Sequence, residues 1–173
     1  MEGAGSNRVT PAVRSGIVAA VAALIADQAS KLWLLFAFDI GHRGTVSVTP
    51  FFDLVLAWNT GISYGWFQTE SPVAAAILLA IKAVAVVLLA IWMARSHTRM
   101  ATIGLGLIIG GAIGNVIDRF AYGAVMDFAL FHLQFAGKTY NWYVFNLADV
   151  AIVVGVMALL YDSFLGTSAA KAP

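Results

Sequence analysis

Cysteine is absent from the chain, which excludes a disulfide framework, a thiol nucleophile and a thiolate metal site. Histidine is nearly absent. His42, His97 and His132 are scattered, with no metal-ligand spacing and no His-Glu-x-x-His run, so neither a metal centre nor a Ser-His-Asp triad is indicated. A Gly-rich phosphate loop is missing as well. Charge is scarce, at 11% of residues against roughly a quarter in soluble domains. The net charge of +1 leaves no broad basic field, and nucleic acid is not an expected partner.

What fills the 173 residues is apolar: 61% are hydrophobic and the mean hydropathy is +0.85. The composition predicts an integral membrane protein, and the length suits a single domain over residues 1–173. Four stretches have about the ~20 residues that a helix needs to cross a bilayer: Arg14–Phe38, Pro72–Ala94, Met100–Phe120 and Val144–Phe164. The first follows a charged start, like a signal peptide, but is too long for a typical signal core and is expected to be a retained span. The predicted class is an all-α membrane protein of four transmembrane helices with a small β-rich segment on the outer face.

Two longer segments, 39–71 and 121–143, join spans one to two and three to four. Only the basic run Arg95–Arg99 joins spans two and three. An even number of spans puts both termini and that run on one side. Arg8, Arg14, Arg95, Arg99 and Lys171 fall there, against Lys31, Arg43, Arg119 and Lys138 opposite. The positive-inside rule makes that side the cytoplasm. Between Gly41 and Phe67 the residues Phe52, Leu54, Leu56 and Trp58 recur every second position, which is strand periodicity. Trp58, Tyr64 and Trp66 suit a membrane interface, and Asn59-Thr60-Gly61 is a turn signal.

Polar residues collect near the outer ends of the spans. Asp27 and Lys31 stand four apart on one helical face, either as a site or as a pair that makes burial tolerable. Gly106, Gly110 and Gly114 form a small-residue face suited to close helix packing. One turn later come Asn115, Asp118 and Arg119, the last two a candidate ion pair. Asp127 follows among Val125, Met126 and Phe128. Tyr140, Trp142 and Tyr143 crowd the entry of span four. Asn146 and Asp149 are three apart near its start, with Asp149 expected about five residues, or ~8 Å, inside the helix. Lys82, near the middle of span two, reads as a snorkelling or paired lysine, and Lys82→Met is expected to keep most of the activity.

Intramembrane charges mark functional sites by default. Two aspartates in a partly dry site share a proton, one serving as base for water and the other as acid. A proton-coupled transporter also uses such carboxylates, and on the residues alone the two readings are even. A Ser63–lysine pair with Lys31 or Lys82 has no spacing to support it.

Five runs together decide more. Asp27-Gln-Ala-Ser-Lys31, Trp58-Asn-Thr-Gly-Ile-Ser-Tyr-Gly65, Gly110-Gly-Ala-Ile-Gly-Asn-Val-Ile-Asp-Arg119, Val125-Met-Asp-Phe128 and Phe145-Asn-Leu-Ala-Asp149 stand in the order seen in the lipoprotein signal peptidases (signal peptidase II), which the chain resembles from about Ile17 to Leu160. The resemblance implies a bacterial inner-membrane aspartyl endopeptidase with its site at the periplasmic or outer face. Asp127 and Asp149 would be catalytic. Asp27, Lys31, Asn59, Gly61, Asn115, Asp118, Arg119 and Asn146 would orient the pair or hold substrate. Substrates would be prolipoproteins whose cysteine carries diacylglycerol, cut just before that cysteine. The peptide inhibitor globomycin would occupy the same site. The resemblance implies no metal or cofactor, and a monomer in membrane lipid. Ile62-Ser63-Tyr64 departs from the small residues that the family often has there, which bears on pocket shape rather than on chemistry.

Overall fold

The computed structural model describes residues 10–61 and 72–169. Helix α1 (Pro11–Leu32) starts where Thr10 accepts the Val13 amide on its hydroxyl, with Pro11 at the first helical position, where a missing N–H costs nothing. It widens into one π-helical turn, Trp33–Ala37, and stops at Asp39, which takes a left-handed backbone (φ 55°) before the short α2 (Ile40–Arg43). Strands β1 (Val46–Thr49) and β2 (Phe52–Asn59) follow, then α3 (Pro72–Arg95) and α4 (Arg99–Tyr122). Thr98 caps α4 through the Ala101 amide, and Gly123 (φ 74°) ends it in the left-handed conformation that favours glycine. Strands β3 (Val125–Phe135) and β4 (Lys138–Asn141) turn about Ala136-Gly137, both at positive φ, the geometry of a two-residue hairpin loop. Helix α5 (Leu147–Ala169) closes the described chain.

The four strands form one antiparallel sheet in the order β1-β2-β3-β4. The strand periodicity of 52–58 is thus realised in β2. The sheet goes further than the sequence reading: the second long connection, read without strands, supplies β3 and β4. Its run Val125–Ala129, apolar but for Asp127, is buried on both faces, so it lacks the alternation that marks a half-buried strand. Leu34, Ile40, Met126, Phe128 and Ala129 form the core that seats the sheet on the helices, with Phe52, Leu54, Leu56 and Phe145 around it.

Helix α4 is the central helix of the bundle. Side chains added at Gly106 and Gly110 would run into the carbonyls of Gly16 and Ala20 on α1. Close backbone approach is the role expected of that glycine face. On its other side, α4 touches α5 through Gly104 and Gly155, where an added Cβ at Gly104 would lie 2.8 Å from the Gly155 oxygen. The outward faces are apolar: Val18 is 68% exposed, Leu88 61%, Phe120 74% and Phe164 72%. Such surfaces suit lipid rather than water.

Among the described residues three helical stretches are long and apolar enough to cross a membrane: Pro11–Ala37, Arg99–Tyr122 and Leu147–Phe164. The remaining expected span coincides with α3, a helix of 24 residues. Trp66, Tyr64 and the Ile62-Ser63-Tyr64 departure lie outside the described residues, as do Arg8 and Lys171.

Candidate active site at the sheet end of the bundle

The site is built outward from one buried lysine. Lys31 Nζ lies 2.7 Å from Asp27 Oδ2 and 2.8 Å from Asp118 Oδ2, and all three side chains are almost wholly buried. The i,i+4 pair expected on α1 is therefore real, but its second carboxylate comes from α4. The alternative of an Asp118–Arg119 ion pair is not realised. Adjacent residues on a helix point about 100° apart, so Asp118 turns inward to Lys31. Arg119 donates from Nη2 to the Gly61 carbonyl and, at 3.5 Å, from Nη1 to that of Thr60.

Each carboxylate of this triad also fixes a backbone. Asp27 Oδ1 accepts the Ala148 amide (2.9 Å) at the start of α5, and Asp118 Oδ2 accepts the Met126 amide (3.0 Å) at the start of β3. Gln28 completes the set by donating to Asp27 Oδ2 (3.2 Å), the Gly114 carbonyl (3.1 Å) and Asp118 Oδ1 (3.0 Å). Sequence reasoning passed over Gln28, because residues one apart share no helical face and its partners lie on α4. Gly114 makes the room: a Cβ there would sit 2.5 Å from Asp27 Oδ2.

From Lys31 the order passes to the two remaining aspartates. Asn115 accepts from Lys31 Nζ (3.3 Å) on Oδ1, which leaves its Nδ2 to donate to Asp149 Oδ1 (3.1 Å). The cation thus sets which way the amide faces. Asn146 touches both aspartates. Its backbone N–H donates to Asp149 Oδ2 (3.2 Å), and its Nδ2 donates to Asp127 Oδ1 (2.6 Å). Because the Asp149 amide donates back to Asn146 Oδ1 (3.0 Å), these two residues form a reciprocal cap on α5. Asp149 therefore lies in the first helical turn, not about five residues inside. The helix begins at Leu147 because Asn146 is its cap, a signal present in the sequence as Asn-x-x-Asp.

Asp127 lies on strand β3, not at the end of a span. Opposite it in the register is Ala57, and two residues along β2 is Asn59, on the same face as Asp127. Asn59 Nδ2 donates to Asp127 Oδ2 (3.2 Å), while Asn59 Oδ1 accepts the Gly61 amide (3.0 Å) in the expected turn. Burial above all, and then the charge of Asp149, pushes the Asp127 carboxyl up from 3.8 to about 6; the amides of Asn59 and Asn146 and the Lys31 charge oppose this.

Asp127 and Asp149 face one cavity of about 120 Å³, shared with Asn59, Asn115, Arg119 and Lys82 and walled by Tyr143, Ile152 and Val153. The ten candidate site residues named from sequence fall in or directly behind this site. Asn59, Asn115, Arg119, Asp127 and Asp149 line the cavity; Asp27, Lys31, Gly61, Asp118 and Asn146 brace it. The surprise is Lys82, whose place in the span predicted an interface or a partner in the bundle. No sequence signal tied it to the aspartates, since α3 is far from both in the chain. Among the described residues no group of His, Cys, Asp and Glu is arranged to hold a metal ion.

The family model described as signal peptidase (SPase) II matches residues 19–165. The chain is 86% identical over 165 residues to the lipoprotein signal peptidase of Nitrobacter hamburgensis, covering 95% of this chain and 100% of that one. It is 71% identical, with the same coverage, to that of Rhodopseudomonas palustris strain TIE-1. Two solved structures, both titled as bacterial membrane enzymes, share the fold. Their TM-scores are 0.73 and 0.70, at 23% and 24% identity, over 92% and 87% of this chain and 92% and 93% of theirs. A multi-pass membrane protein with a buried polar site at one end of its bundle, matched along nearly all its length, this chain belongs to the signal peptidase II family.

Proposed function

We propose that the protein is an aspartyl endopeptidase that removes signal peptides from prolipoproteins by cutting before the diacylglyceryl-modified cysteine, with Asp127 and Asp149 as the catalytic pair. One observation carries this. Of the carboxylates near the site, only these two face the cavity, and each is held by neutral amide donors rather than by a cation. Asp27 and Asp118 are spent on Lys31, Gln28 and backbone amides and have no proton traffic to offer.

Two carboxylates bridged by one asparagine in a partly dry cavity share a proton. The ionised member takes a proton from water, whose oxygen attacks the scissile carbonyl carbon. The protonated member donates to the carbonyl oxygen and, as the tetrahedral species collapses, a proton reaches the leaving nitrogen. Asn115 and Asn146 keep both carboxylates aimed through the cycle. Arg119 holds the Thr60 and Gly61 carbonyls beside the cavity, so β2 and its turn form part of the substrate wall.

The remaining features follow from this reading. The fourth span is α3, which at ~1.5 Å per residue is long enough for a bilayer. The protein is one membrane domain of the bacterial inner membrane, with cytoplasmic termini and the site at the periplasmic face, where a lipid-anchored substrate presents its scissile bond. It acts as a monomer in lipid and binds globomycin in the same cavity. The proton-transporter alternative needs polar groups through the depth of the bundle, and here they concentrate at the sheet end.

The test is cleavage of a diacylglyceryl-modified prolipoprotein and of its unlipidated twin by purified enzyme. Only the lipidated form is expected to be cut, and Asp127→Asn and Asp149→Asn should each lose about 10²–10⁴-fold in rate. The double variant is expected to be little worse than either single, because the pair acts as a unit. Substantial cleavage by either well-folded variant overturns the dyad.

A further inference from the structure

The geometry points to Lys82 as a positioning residue for the Asp127–Asp149 pair: its ammonium, reaching the cavity from α3, sets the pH range over which the pair carries its single shared proton. This rests on the aspartyl reading above. Lys82 is the one charged residue between Pro72 and Ala94. A cation within a span costs a few kcal/mol by insertion measurements, so it calls for compensating charge. Yet among the described residues Lys82 has no carboxylate within ion-pair distance, unlike Lys31 with its two. What it faces is the cavity.

The charged groups around that cavity come from four elements. Lys82 is on α3, Arg119 on α4, Asp127 on β3 and Asp149 on α5; Tyr143 lies on the segment before α5, and the Asn59 and Asn115 amides are neutral. Asp149 attracts the Lys82 ammonium and Arg119 repels it. Lys31 lies behind Asn115, bonded to both Asp27 and Asp118, two formal negative charges against its one. Arg119 is tied to the Thr60 and Gly61 carbonyls. The cation without a fixed partner among these is Lys82. With both aspartates ionised the four charges cancel; with one proton on the pair the set is +1. Removing Lys82 makes both ionisations cost more, so the pair gives up its first proton, and then its last, only at higher pH. An opposite charge at ~4–6 Å moves a carboxyl by about 1–3 pH units, and a longer reach gives the low end of that range.

The experiment is the pH profile of kcat/KM for the full-length enzyme in lipid, with a diacylglyceryl-modified substrate. Lys82→Met and Lys82→Gln are expected to move the acidic limb to higher pH by about one unit, a roughly tenfold loss on that limb that recovers towards alkaline pH. Lys82→Arg, which keeps the charge, is expected to follow the parent profile, which a purely steric role for the lysine stem would not produce. Superimposable profiles for parent, Lys82→Met and Lys82→Gln overturn the inference, as does an equal loss at every pH. Asp127→Asn and Asp149→Asn measured alongside keep the two ideas apart. Dead aspartate variants with an unmoved Lys82 profile sink only the role of Lys82, whereas active aspartate variants sink the dyad itself.

Discussion

Replacing Asp127 by asparagine is expected to cut turnover about 10²–10⁴-fold and yet make the protein more stable at neutral pH. The Asp127 carboxyl is raised from 3.8 to about 6 in the fold, first by burial and then by Asp149. The sign follows from linkage: the folded chain holds this proton more tightly than the unfolded chain, so stability falls as pH rises from about 4 to about 6 and stays lower above. The difference between 3.8 and about 6, at about 1.4 kcal/mol per pH unit, amounts to about 3 kcal/mol at pH 7. Asparagine removes that penalty but keeps only part of the hydrogen bonding. Both oxygens of Asp127 are acceptors, for Asn59 Nδ2 and Asn146 Nδ2. The new amide oxygen takes the shorter bond, from Asn146, and its NH₂ then opposes the Asn59 donor at a cost of about 1 kcal/mol. A net gain of about 2 kcal/mol is left, or roughly 4–8 °C for a chain of this size. Thermal unfolding of parent and variant in the same detergent at pH 7 and at pH 4 measures it. The variant is expected to melt higher at pH 7, and the gap is expected to shrink at pH 4, where the parent carboxyl is protonated in the fold. A variant that melts lower at pH 7, with a gap independent of pH, refutes the reasoning: ionised Asp127 would then carry no penalty, and the case for a shared proton would fall with it.

Lys31→Met leaves Asp27 and Asp118 buried against each other without their cation, and is expected to destabilise the fold by about 3–5 kcal/mol. In a thermal-shift cycle, Lys31→Met with Asp118→Asn should lose less than the two singles summed, because removing Asp118 relieves the repulsion between the two carboxylates that Lys31→Met leaves without their cation. Asp118→Asn by itself should harm folding at least as much as catalysis, read as folded yield against kcat, since Asp118 braces the Met126 amide and does not line the cavity. Gly106→Leu must force α1 from α4 at the Gly16 carbonyl. It is expected to abolish the monodisperse folded peak in size-exclusion chromatography, while Gly44→Ala, strained (φ 68°) but in open space, costs only a modest shift in melting temperature.

The site was legible in sequence as a set of residues but not as a structure. Asp27 and Lys31, four apart, and Asn146 and Asp149, three apart, could be paired from helical spacing alone, and the bonds between them are there. Of the two readings open for Asp118 and Arg119, an ion pair or membership of the site, the ion pair fails because adjacency in sequence is not adjacency on a helix. Strand β3 escaped notice because its first five residues are buried on both faces, and only alternation with water on one side would have marked it. Asp127 could therefore be placed only in the segment that follows span three.

Local chemistry in the sequence by itself determined the membrane class, the apolar stretches with their capping residues Thr10, Thr98 and Asn146, the strand in 52–58, and the glycine face of α4. Each depends on neighbours within one or two helical turns or along one strand. Tertiary structure alone decided which carboxylates are free. Lys31 could have paired with any aspartate near that end of the bundle. Glycine-mediated contact brings α1 against α4 so closely that Asp27 and Asp118 both reach it. Pairing of β2 with β3 then carries Asp127 to Asn59 across 68 residues, and Asn146 joins it to Asp149. A buried charge must find its partner in space, and partners that distant in the chain are chosen by packing.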